Sequence, residues 1–141
     1  MVDKCIVLED DDVPSVSFFT FCKEMLDKYE QDTRITMIAG FNNEEITPDV
    51  PYDYFFASTF SIWGWASWKR VIDQWDEHYT FLEDKFNMQQ LEQLIKERKF
   101  RKDFIYMCHR HKENNKAYYE TIFHASMLFN SGLAIVPTRN M

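Results

Sequence analysis

Glycine and proline are scarce in this chain, with 3 and 4 copies among 141 residues. That sets aside collagen-like and low-complexity polypeptides, which need one or both in quantity. Cysteine is scarce as well. Cys5, Cys22 and Cys108 are odd in number and far apart, and two of them sit among apolar residues. They suit reduced buried thiols better than a disulfide framework, so a reducing compartment and a cytoplasmic location are expected. No apolar run approaches the roughly 18 to 20 residues that a membrane-spanning helix requires. Met1 is followed by Val-Asp-Lys rather than by a basic segment and an apolar stretch, so the expectation is an unsecreted chain without a transmembrane segment. Positive charge is in deficit too, with 16 Lys and Arg against 23 Asp and Glu for a net charge of -7. A chain that binds nucleic acid needs a dominant basic surface, so nucleic acid is not expected as a partner. A metal-neutralised phosphate remains compatible with such a surface.

Apolar residues are abundant, at 45% with 17% aromatic, enough for one hydrophobic core in a single domain spanning 1–141. Residues 4–8 (KCIVL) predict a short buried strand, stopped by Glu9, Asp10, Asp11 and Asp12 and then by Val13-Pro14. Ser15 suits a helix N-cap, and Phe18, Phe19, Cys22, Met25, Leu26 and Tyr29 follow at helical spacing. Residues 34–39 (RITMIA) predict a second strand, Gly40 opens a polar loop reaching Pro51, and 52–60 predicts a third strand. Around Gly64 three tryptophans crowd together, Trp63, Trp65 and Trp68. Helices are expected over 71–75, 88–97, 104–114 and 119–129, and a last strand over 133–136. The pattern is α/β, with a helical C-terminal half.

Four adjacent carboxylates at a strand end repel one another, and a hard divalent cation with oxygen ligands, Mg2+ or Mn2+, relieves that repulsion. In open α/β sheets ligands collect beyond the carboxyl ends of the strands, where this cluster falls. The alternative is a solvated acidic turn favoured by the N-terminus of the next helix. A receiver-like phosphoacceptor domain also opens with a strand ending in acids. It needs a later strand ending in Asp and a Lys-Pro near the last strand, whereas residues 54–57 run into Ser58-Thr59 and no Lys-Pro occurs.

Three segments together resemble nucleotide-sugar glycosyltransferases of the GT-A type, in particular bacterial enzymes distantly similar to N-acetylglucosaminyltransferase I. The first is IVLEDD with Phe18-Phe19 beginning nine residues after Glu9, similar to the acidic motif and following helix of that family. The second is Ile62-Trp63-Gly64-Trp65-Ala66-Ser67-Trp68-Lys69-Arg70, similar to its glycine-aromatic loop and the helix after it. The third runs from Lys116 to Met141 and includes Asn130-Ser131-Gly132-Leu133 and Ile135-Val136-Pro137.

The resemblance implies a partial Rossmann-like sheet flanked by helices, a nucleoside diphosphate sugar donor, a saccharide acceptor, a Mn2+ or Mg2+ cofactor and an inverting transfer, as in polysaccharide biosynthesis. By position, Asp11 corresponds to the direct metal ligand, and Glu9 and Asp10 to residues that contact the nucleotide-sugar or hold the ligand shell. Asp12 is an additional acid without an implied role. Trp63, Gly64 and Trp65 correspond to the sugar and acceptor side of the cleft. Their alternative is a core packed around a tight turn, the preferred account of Trp68 and Trp75 at helical spacing.

Glu120 falls where the family places an Asp base, although without the usual Trp neighbours. The alternative is an ordinary first-turn helix acid favoured by the macrodipole. The resembling enzymes carry two or three βα units of ~30 residues each ahead of the acidic motif to bind the nucleoside, so a partial catalytic domain is expected. A non-catalytic carbohydrate-binding domain and an inactive remnant are the alternatives. The basic-rich run Lys96, Glu97, Arg98, Lys99, Arg101 and Lys102 suits a solvated helix face, and can also approach donor phosphates or an anionic membrane surface peripherally. Cys108, His109 and His111 do not share a helix face, which argues against zinc.

Overall fold

The computed structural model describes residues 2–141, and the fold is α/β with a five-stranded mixed sheet. The chain divides into two compact units, one from residues through Asp73 together with Ser131–Met141, the other from Gln74–Asn130.

The first unit holds the sheet, made of β1 (Lys4–Val7), β2 (Ile35–Ala39), β3 (Tyr54–Ala57), β4 (Trp65–Trp68) and β5 (Leu133–Pro137), with helices α1 (Val16–Lys28) and α2 (Lys69–Ile72). Strand order is β1-β4-β2-β5-β3. Strand β4 runs antiparallel to both β1 and β2, β2 is parallel to β5, and β3 is antiparallel to β5. Hence β1, β2 and β5 all point one way and finish at one sheet edge, the edge at which β4 begins. Every residue of β2 is buried, as expected of a continuous apolar strand interior to a sheet. Helix α1 contains no Gly or Pro and buries Phe18, Phe21, Cys22, Met25 and Leu26, an i, i+3, i+4, i+7, i+8 stripe that packs on the sheet. Ser15 is its N-cap in extended conformation, yet its hydroxyl bonds Ser17 Oγ at 2.7 Å instead of a helix N–H.

Residues 65–68 depart from expectation. They are neither part of a tight turn nor of a helix but the strand β4, flanked on both sides. Trp65 lies opposite Val7 in β1 and Ala39 in β2. Ser67 Oγ donates to Thr36 O at 2.6 Å, and Trp68 Nε1 donates to Leu26 O at 3.2 Å, so the strand is held by side chains as well as by the ladder. The helix expected over 71–75 is the single turn of α2, and Trp75 lies beyond it. The strand expected over 52–60 shortens to β3.

The second unit is helical, with a 3-10 turn at Thr80–Glu83, α3 (Lys85–Leu94), α4 (Arg98–Glu113) and α5 (Tyr119–Phe129). Both α3 and α4 begin earlier than apolar spacing alone suggests, because acids cap them. Asp84 accepts from the N–H groups of Phe86 and Asn87 at 2.8 and 3.0 Å, and Glu97 accepts from those of Lys99, at 2.9 Å, and Phe100. Their core comprises Tyr79, Phe81, Leu91, Ile95, Phe104, Cys108, Ile122 and Ala125. The buried Tyr79 hydroxyl is satisfied by Thr121 Oγ1 at 2.9 Å.

All three cysteines are free, and burial pushes the thiols of Cys22 and Cys108 up to about 12, so both remain protonated and unreactive in the folded chain. Among the described residues no helix is long and apolar enough to cross a membrane.

Candidate functional site

Because β1, β2 and β5 end at one edge, the segments that follow them meet there, together with the loop that enters β4. Glu9-Asp10-Asp11-Asp12 forms a β-turn closed by Asp12 N–H donating to Glu9 O at 3.2 Å. The Asp12 carboxylate returns the bond, its Oδ2 accepting from Glu9 N–H at 2.9 Å. The same Oδ2 accepts from Gly64 N–H, also at 2.9 Å, across 52 positions of sequence. Gly64 O in turn accepts from Gly40 N–H at 2.7 Å, and Gly40 O accepts from Met141 N–H at 3.2 Å. One hydrogen-bond path thus runs from the acidic turn through the β4 loop and the end of β2 to the segment after β5. Asn42 reinforces it, its N–H donating to Asn140 Oδ1 at 2.6 Å and its amide to Pro137 O at 3.1 Å.

The two glycines on this path are required for different reasons. At Gly64 the backbone has φ of +65°, a region that residues with a side chain rarely occupy. At Gly40 the constraint is space, because an added Cβ would lie 2.6 Å from Cε2 of Phe18, a ring 0% exposed beneath both glycines. Phe18 is the floor of a cleft of about 360 Å³, whose walls include Leu8, Asp11, Asp12, Phe41, Trp63 and Gly64.

Of the residues singled out by sequence, the cleft gathers Asp11, Trp63 and Gly64. Asp11 is exposed at the turn. Trp63 is 56% exposed and packs edge-on against Phe41, with ring centroids 4.7 Å apart. Asp10 is exposed on the same turn and Glu9 is half-buried, and neither lines the cleft. Trp65 is 3% exposed in β4, so its indole packs in the core and offers no face to a sugar. Glu120 belongs to the helical unit, in the first turn of α5. Its negative charge acts on His111 and Tyr79. It opposes the burial that holds the imidazole below its ordinary value and adds to the burial that raises the phenol.

Phe41 and Asp12 are the site residues that sequence reasoning left without a role. For Phe41 the available signal was an aromatic directly after a strand-ending glycine. For Asp12 there was none, since its partner Gly64 is distant in sequence.

Among the described residues no three His, Cys, Asp or Glu side chains converge in the manner of an all-protein metal cage. The donor set fits a hard cation bound more openly. Asp11 is accessible, Asp12 Oδ2 is committed to two N–H groups, and Mg2+ and similar ions commonly take one or two carboxylates and complete their shell with ligand phosphate and water. No family model, no curated protein and no solved structure matches the chain.

Proposed function

We propose that this chain is the metal-binding part of a GT-A type glycosyltransferase, which moves a sugar from a nucleoside diphosphate donor to a saccharide acceptor by inverting displacement. The observation that supports this most is the meeting of an exposed carboxylate, Asp11, with the exposed Trp63 indole in one cleft at the carboxyl edge of a sheet. Asp11 binds the cation, with Glu9 and Asp10 supplying the negative shell of the same turn. A divalent cation, when bound, offsets the charge that develops on a departing diphosphate. Trp63 and Phe41 present an aromatic corner suited to the C–H face of a pyranose, and the Gly64 backbone lets a ligand approach closely. Trp65 supports that loop from within the sheet. Glu120, in the helical unit, is the candidate general base by the resemblance alone.

Calorimetric titration of the chain with Mn2+, alone and with a panel of nucleoside diphosphate sugars, tests the proposal. Donor binding that requires Mn2+ is expected, and Asp11→Asn should weaken it by about tenfold or more, the loss of one charge-assisted ligand. Absence of any cation-dependent donor binding would overturn the proposal. Saccharide binding indifferent to Mn2+ would replace it with a carbohydrate-binding domain built on Trp63.

A further inference from the structure

The Asp12 carboxylate is fully engaged by the protein at one oxygen. A carboxylate oxygen offers about two lone-pair directions. Both directions of Oδ2 are occupied, by Glu9 N–H and Gly64 N–H at 2.9 Å each. That oxygen therefore has no capacity left for a cation. The two donors come from different segments, one from the turn that carries Asp11 and one from the loop that carries Trp63.

Residues 58–63 form neither helix nor strand, and the Trp63 N–H reaches only Ser61 Oγ, at 3.5 Å, at the outer limit of a hydrogen bond. The Gly64 O bond to Gly40 N–H and the edge contact of Trp63 with Phe41 also tether the end of this loop. Gly64, with its positive φ, is the hinge at which the chain turns into β4. Fixing the Gly64 amide accordingly fixes the direction in which Trp63 leaves the sheet edge.

We propose that Asp12 is a positioning residue, whose carboxylate clamps the acidic turn to Gly64 and so holds Asp11 and Trp63 on the same cleft, while Asp11 takes the cation. The inference rests on the glycosyltransferase reading for its ligand, and extends it by dividing the cluster into a binding acid and a structural one.

Asparagine keeps an oxygen acceptor at position 12 and removes the charge, whereas alanine removes both, so the pair of variants separates positioning from ligation. Mn2+-dependent donor binding is measured by calorimetry for the native chain, Asp12→Asn, Asp12→Ala and Asp11→Asn, well below each variant's thermal midpoint. Asp12→Asn should stay within about threefold of the native affinity. Asp12→Ala and Asp11→Asn should each lose about tenfold to a hundredfold, the range for one or two charge-assisted hydrogen bonds. Amide exchange followed by NMR gives a second readout without ligand, with the Glu9 and Gly64 amides exchanging faster in Asp12→Ala and unchanged in Asp12→Asn.

Losses in Asp12→Asn as large as in Asp11→Asn would make Asp12 a ligand and overturn the proposal. So would native affinity in Asp12→Ala, or a lowered thermal midpoint with affinity unchanged. If the native chain binds no donor with Mn2+, the glycosyltransferase reading fails. The clamp is then judged by exchange alone, and equal exchange at Gly64 in the native and alanine forms refutes it.

Discussion

Replacing Gly40 with alanine isolates the packing that underlies the cleft. An added Cβ would meet Phe18 Cε2 at 2.6 Å and Cδ2 at 2.9 Å, both closer than a methyl group tolerates, and Gly64 O at 3.0 Å, a tight contact. Phe18 is 0% exposed, and Gly64 O is backbone already bonded to Gly40 N–H, so neither neighbour yields freely. Gly40 does not have a positive φ, and the substitution therefore carries no left-handed strain. Its cost is overpacking, about 2–3 kcal/mol, the upper part of the range for forcing extra methyl groups into a filled core. Urea unfolding at constant m reads this as a shift of the midpoint. The decisive comparison is with Phe18→Leu, which removes Cε1, Cε2 and Cζ of the ring and should cost about 1–2 kcal/mol alone. In the double variant the leucine removes the closest contact, that with Cε2, so the two effects should fall short of additivity by about 1 kcal/mol. A cost below about 0.5 kcal/mol for Gly40→Ala, or strict additivity with Phe18→Leu, would refute the account of Phe18 as a rigid floor.

Two further outcomes concern the helical unit. Burial against the rings of Phe100 and Phe104 lowers His124 from 6.5 to about 4, so the folded chain favours the neutral imidazole. The associated stability is fully present above about pH 6.5 and is lost as pH falls toward 4. Between about pH 7 and pH 5 the native chain should lose roughly 2 kcal/mol that His124→Phe does not, and parallel urea midpoints for the two would rule the effect out. Asp84→Ala removes the acceptor for two first-turn N–H groups of α3 and should cost about 1 kcal/mol, detectable as a lower thermal midpoint. An unchanged midpoint would show that water replaces the cap at no cost.

Where periodicity was strong, the fold was legible. Strand β5 is a continuous apolar run, β1 and β2 are apolar apart from Lys4 and Thr36, β1 being a half-buried edge strand, and α1 carries 3.6-residue spacing while α5 is apolar on most sides, both without glycine or proline. Strand β4 was not legible, because Trp-Ala-Ser-Trp lacks both alternation and a β-branched run, while Trp68 and Trp75 mimic one helix face. Its state is decided by tertiary context, since it fills the place between β1 and β2 and satisfies the backbone of both. The helix starts were misjudged where capping acids, Asp84 and Glu97, lie outside the apolar pattern.

At the site the same division holds, and the Trp63-Gly64-Trp65 segment shows why. By residue type the two tryptophans are equivalent, each one position from the glycine. Trp65 is the first residue of β4 and is paired on both sides, by Val7 and Ala39, so it is fixed in the sheet and 3% exposed. Trp63 lies one residue before the positive-φ hinge, outside the ladder, and remains 56% exposed. The end of the sheet separates them, and sheet ends are set by partners remote in sequence. Asp12 is governed by the same fact. An acid beside three other acids reads as one more ligand until its two N–H donors are known, and one of those donors is supplied by the hinge itself. Function can therefore be divided within the acidic cluster only after the strand order has brought Gly64 to it.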